Sequence, residues 1–114
     1  MESDRRRKRV ASSVQEAMSR LLIEEFRDTS AGFITVTDVK MSGDLKTARI
    51  SFSLYGARDR QGFWALLEKR KGYLRKALAT RIKLKYNPAL VFSLDSTAEF
   101  EERLDRLIEM TKKK

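Results

Sequence analysis

Apolar residues return along the first part of the chain at helical spacing. Val10, Val14, Ala17, Met18, Leu21 and Leu22 stand at i, i+4, i+7, i+8, i+11 and i+12, the stripe by which a surface helix packs on a core. Asp4 is the expected N-cap and Asp28 to Gly32 the expected stop. The period then drops to two. Residues 33–41 are rich in β-branched side chains, and 47–55 alternate with Ala48, Ile50, Phe52 and Leu54 on one face. The turn-forming Ser42-Gly43-Asp44-Leu45 between them predicts an antiparallel hairpin. Ile34 and Val36 are out of phase with Val39 and Met41, so a bulge near Thr37 and Asp38 is predicted to bring both pairs to the core.

After a polar connection from Gly56 to Gly62, Phe63, Trp64, Leu66 and Leu67 begin a second helix. Trp64 could stack on a base, but beside Phe63 and Leu67 it reads better as a core anchor. Gly72 lies where both flanks are helix-forming and predicts a kink or a close approach. A third helix follows from Tyr73 to about Lys85, with Leu74, Leu78 and Ile82 as its buried seam. Lys76 and Lys83 are expected opposite that seam, with Arg75, Arg81 and Lys85 flanking it. Asn87-Pro88 ends the helix, and Leu90, Phe92 and Leu94 alternate as a third strand. Ser96-Thr97-Ala98-Glu99 matches a capping box and opens a final helix with Phe100, Leu104, Leu107 and Ile108 on one face.

Helix, two strands, helix, kink, helix, strand and a terminal helix predict an α+β domain, its three-stranded sheet carrying helices on one face. A helix-kink-helix unit beside such a sheet is the arrangement of KH RNA-binding domains, which grip the nucleic-acid backbone through a Gly-x-x-Gly loop. Here the five glycines never fall three apart. The usual phosphate clamp is missing.

Composition narrows the chemistry. The 114 residues suffice for one compact domain spanning 1–114, with 1–8 and 111–114 expected as flexible ends. Neither cysteine nor histidine occurs, which removes disulfides, thiolate nucleophiles, Cys/His zinc sites and imidazole catalysis. Asp38 and Asp44 read as bulge and turn residues, since no third ligand is suitably spaced. A protein with no enzymatic activity, cofactor or metal is expected. The basic N-terminus is followed by no apolar h-region and no segment reaches bilayer length, so a soluble cytoplasmic protein without a membrane partner is the expectation.

A net charge of +9 favours a polyanionic partner, and its distribution is informative. From Lys69 to Leu94 there are eight lysines and arginines and no acid, whereas Asp95 to Thr111 holds six acids against two bases. A solvated face would intersperse both signs, so the basic run points to nucleic acid. Arg70, Lys71, Arg75, Lys76, Arg81, Lys83 and Lys85 are the expected phosphate contacts, around Gly72 at the kink. Arg5, Arg6 and Arg9 crowd the first turns of a helix, where cations oppose its dipole. Either an outside anion compensates them or that end is frayed. Tyr73 and Tyr86 are the two candidate stacking rings. Charge reversal at Arg75 and Lys76 is expected to abolish binding with the fold intact.

Four local motifs occur in order: Arg9-Val10-Ala11; Val39-x-Met41-Ser42-x-Asp44-Leu45-x-x-Ala48; Gly72-x-Leu74-Arg75; and Pro88-x-Leu90-x-Phe92-x-x-Asp95-Ser96. With these the chain resembles, over nearly its whole length, the ribosome-binding factor A family of bacterial small-subunit maturation factors. The resemblance implies a type II KH-like fold in which an Ala-x-Gly kink replaces Gly-x-x-Gly. Gly72 matches the glycine, but Arg70 stands at the alanine position, where it is expected to project outward. It also implies a monomer that binds the 30S subunit and 16S ribosomal RNA near the decoding and 3′ regions, assisting late 30S assembly and 16S rRNA processing. A general KH-like nucleic-acid-binding module and a protein-interaction module are the alternatives.

Overall fold

In the computed structural model, which describes residues 2–27, 33–56 and 58–95, the apolar stripe of the first segment lies along a helix, α1, from Glu2 to Glu25. Val14, Met18, Leu21 and Leu22 are buried as the spacing requires. Asp4 is not the N-cap. It lies inside the helix and pairs with Arg7 at 2.8 Å, because the helix already begins at Glu2. Residues 2–8, expected as a loose end, form its first turns. The helix stop expected at 28–32, the terminal helix opened by Ser96 and the end at 111–114 lie outside the described residues.

The hairpin forms as predicted from β1 (Phe33–Met41) and β2 (Thr47–Tyr55). Its antiparallel register slips between Val36 and Asp38. That bulge returns Val36, Val39 and Met41 to the core against Ala48, Ile50, Phe52 and Leu54. In the turn, Asp44 accepts from the Ser42 hydroxyl at 2.7 Å and the Lys46 amide at 3.0 Å. These bonds hold its carboxyl below the usual aspartate range, the Ser42 contact contributing most. Leu45 sits at φ 63°, a conformation that side-chain type does not forecast.

The second helix, α2 (Arg60–Lys69), starts three residues before Phe63 because Asp59 caps it, accepting from the Gly62 amide at 2.9 Å. A Cβ at Gly62 would meet that carboxylate in its present rotamer, so a larger residue there would make the Asp59 side chain shift. The third helix, α3, spans Lys71–Arg81. The break between the two helices falls at Arg70 (φ −92°, ψ 4°) and not at Gly72, which lies within α3 with nothing among the described residues within 4 Å of where a Cβ would stand. Among those residues Gly72 therefore makes no close approach. At the other end α3 stops at Arg81, where Ile82 turns extended, so Lys83 and Lys85 belong to the connection and not to a helix face.

That connection leads to β3 (Ala89–Leu94), which pairs parallel with β2 in the order β1-β2-β3. A strand returning parallel needs a crossover, here the α2-α3 pair. The core lies between the three helices and one sheet face. Phe52 stands at its centre, edge-on to Phe63 and Phe92 and stacked on Trp64 at 5.8 Å. Trp64 is a core anchor, as its neighbours implied. Leu90 and Phe92 are buried, while Leu94, at the strand end, is 38% exposed.

Candidate nucleic-acid interface

The basic residues divide by what they touch. Arg70 does not project outward: its guanidinium folds back on the C-terminal end of α1, donating to the Glu25 carbonyl at 3.3 Å and side chain at 3.2 Å, over the Phe26 ring. A cation suits that helix end, where carbonyls lack intrahelical partners. Arg81 meets Glu24, one residue earlier in the same last turn, at 2.6 Å, and this hydrogen bond holds the Glu24 carboxyl below its ordinary value. Lys71 pairs with Glu68 at 2.7 Å. Arg75 donates to the Asn87 and Pro88 carbonyls at 2.7 and 3.0 Å, tying α3 to the chain entering β3. Much of the predicted contact surface is thus engaged in holding elements together. Charge reversal at Arg75 cannot be expected to leave the fold intact, because it would break both of these bonds.

Arg5, Arg6, Arg9, Lys76, Lys83 and Lys85 are exposed and make no ion pair among the described residues. Sequence separates these residues widely; the fold brings four of them together. Because α1 packs on β1 and α3, its N-terminal half runs beside the 82–86 connection, and a channel opens between them. At one end is a hollow of about 240 Å³ walled by Arg6, Arg9, Lys83 and Lys85, with no carboxylate among its lining residues. Val10, Leu45 and Leu84 supply its apolar surface, and the Tyr86 ring its rim. The channel continues past Arg9 and Lys83 to Ser13 and Ile82, then to Arg20 and Arg81, where Glu16 is the first acid to line it.

Two contributors escaped the sequence reading. Leu45 adds apolar surface to the hollow from the hairpin turn. Lys46, beside it, lies 5.1 Å from the Tyr86 ring centroid, with Lys85 at 5.5 Å from the same ring. The hairpin turn meets the 86–89 segment because the Ala89 amide donates to the Lys46 carbonyl at 2.8 Å, the start of the parallel ladder. The crossover between two strands was the one signal that could have suggested it. Tyr73, the other candidate ring, is 58% exposed on α3 away from this channel's lining. No group of three or more metal-ligating side chains occurs among the described residues, and none of their helices is long and apolar enough to cross a membrane.

Fold and site define a small α+β domain with a basic channel along its first helix and no Gly-x-x-Gly loop between its second and third. The sequence pattern of ribosome-binding factor A matches residues 6–108, and the chain belongs to that family. It is 34% identical over 108 residues to the ribosome-binding factor A of Halothermothrix orenii, covering 94% of this chain and 88% of that protein. The crystal structure of ribosome-binding factor A from Thermus thermophilus superposes with a TM-score of 0.67 at 22% identity, over 77% of this chain and 93% of that one. A homology model of the Thermus thermophilus factor, fitted into the cryo-EM map of a 30S complex, superposes at 0.59 and 24% identity over 75% and 94% of the two chains. These likenesses carry the fold: an α+β domain with a three-stranded sheet and helices on one face.

Proposed function

We propose that this protein binds the small ribosomal subunit as a monomer and contacts 16S ribosomal RNA, assisting late 30S assembly and 16S rRNA processing in the cytoplasm. The observation that carries the reading is the hollow at one end of the channel, walled by Arg6, Arg9, Lys83 and Lys85 with no carboxylate in its lining. Family membership supports it, as does the fitting of the Thermus thermophilus relative into a 30S complex. The protein acts as a binding factor and not as an enzyme.

Within the expected contact set, Arg5, Arg6, Arg9, Lys76, Lys83 and Lys85 reach phosphates directly. Arg70, Lys71, Arg75 and Arg81 shape the surface through their protein partners and add to its potential. Gly72 leaves the α3 backbone open to a passing phosphate. Neutralising six phosphates through Arg5, Arg6, Arg9, Lys76, Lys83 and Lys85 corresponds to a log-log salt slope of about −4.2 on single-stranded RNA.

Co-sedimentation with purified small subunits, large subunits and free 16S RNA across a salt series tests the reading. Salt-sensitive binding confined to small subunits is the expected result. Equal binding to every RNA would make the protein a general nucleic-acid module, and salt-insensitive binding would point to a protein partner.

A further inference from the structure

The Leu45 end of the channel differs from a plain phosphate track. Its four cations surround apolar surface from Val10, Leu45 and Leu84, all only partly buried, and an aromatic ring that is 38% exposed. A bare anion would engage the cations and leave that surface uncovered. A nucleobase covers it, and the sugar-phosphate on either side reaches the cations. At about 240 Å³ the hollow lies below the roughly 300–1,000 Å³ typical of pockets for drug-sized ligands, a size that suits a single base. No residue of α2 or α3 lines it, which separates it from the helix-kink-helix surface.

We propose that this hollow takes one unstacked nucleotide of a single-stranded RNA segment, its base against Tyr86 and the Val10, Leu45 and Leu84 side chains, its flanking phosphates on Arg6, Arg9, Lys83 and Lys85. The proposal rests on the RNA-binding reading above and adds a preference that phosphate contacts alone cannot supply. Bases splayed from single strands are the groups that proteins stack on aromatic rings, and stacking tolerates any base. Lys46 and Lys85, whose ammonium groups lie 5.1 and 5.5 Å from the Tyr86 centroid, hold the empty ring and transfer to phosphate when a base replaces them. The ring is thereby kept at the rim with cations already beside the incoming backbone.

The test is an NMR titration of the full chain with a short oligoadenylate, an abasic strand of equal length, a duplex RNA and adenosine 5′-monophosphate, with small-subunit binding measured in parallel. The oligoadenylate is expected to shift the amides of Val10, Leu45 and Tyr86 and to bind at least about fivefold more tightly than the abasic strand. Tyr86→Ala should remove that difference, Tyr86→Phe should keep it, and neither should change the salt slope. Equal affinity for oligoadenylate and abasic strand, or for duplex and single strand, would overturn the nucleotide pocket while leaving the RNA reading standing. The monophosphate binding as tightly as the oligomer would overturn the RNA strand as occupant in favour of a free nucleotide. Loss of small-subunit binding altogether, in the unaltered protein, would remove the RNA reading itself and the pocket with it.

Discussion

Arg70 stands where the family pattern has alanine, and what its side chain does could not be read from that position. An arginine at a tight helix junction must leave it, and leaving it outward into solvent was the simplest expectation. Instead it crosses to the end of α1, where the Glu25 carbonyl and carboxylate and the face of Phe26 accept its charge. Residue type told that the group is cationic; only the approach of α1 to the junction tells which anion it meets. Asp44 shows the opposite case, since Ser-x-Asp in a turn forecasts its own hydrogen bonds. Its depressed pKa has a consequence for stability. A carboxyl whose folded pKa lies below its ordinary value of 3.8 stabilises fully above that value, and the contribution disappears as pH falls through the lower folded pKa. Urea unfolding at pH 5 and pH 2.5 should therefore show a smaller acid-induced loss in Asp44→Asn than in the unaltered chain. An equal loss in both would mean that the turn bonds do not persist in solution.

At the scale of elements, periodicity foretold α1, the hairpin, its bulge and β3 well, because each carries its own apolar repeat. It misplaced the helix pair. Ile82 fits the four-residue repeat of Leu74 and Leu78, yet α3 has ended before it, and the chain runs on without helix toward Pro88. A tertiary tie accompanies that stop: Arg75, on one face of α3, reaches the carbonyls of Asn87 and Pro88 and holds the connection against the helix. A charged donor to two carbonyls is worth more than a surface ion pair. Arg75→Ala should destabilise the fold by about 1–3 kcal/mol in urea melts. Lys76→Ala, one position on and without an ion pair among the described residues, should change stability by less than about 0.5 kcal/mol. Comparable losses in the two variants would remove the tie from the account.

For the whole molecule, the basic run between 69 and 94 is legible at once, but its division of labour is not. Charge count cannot distinguish an arginine that pins α1 from a lysine that faces solvent, and the two kinds alternate along the same segment. Nor does the sequence place Arg6 and Arg9 beside Lys83 and Lys85, because that meeting depends on how α1 lies over the sheet and where α3 stops. The proposed division gives RNA binding to the channel cations and the holding of the fold to the clamp cations. The comparison that separates them sets Lys83→Glu with Lys85→Glu against Arg70→Ala with Arg75→Ala, with small-subunit affinity across salt and urea stability measured for each. The channel pair should keep its stability while losing affinity, and the clamp pair should lose stability first. For the conservative pair Lys83→Gln with Lys85→Gln, the salt slope should flatten by about 1.4, two contacts at roughly 0.7 each. Unchanged affinity and slope in the channel variants, with affinity lost from a stably folded clamp variant, would refute this division of labour.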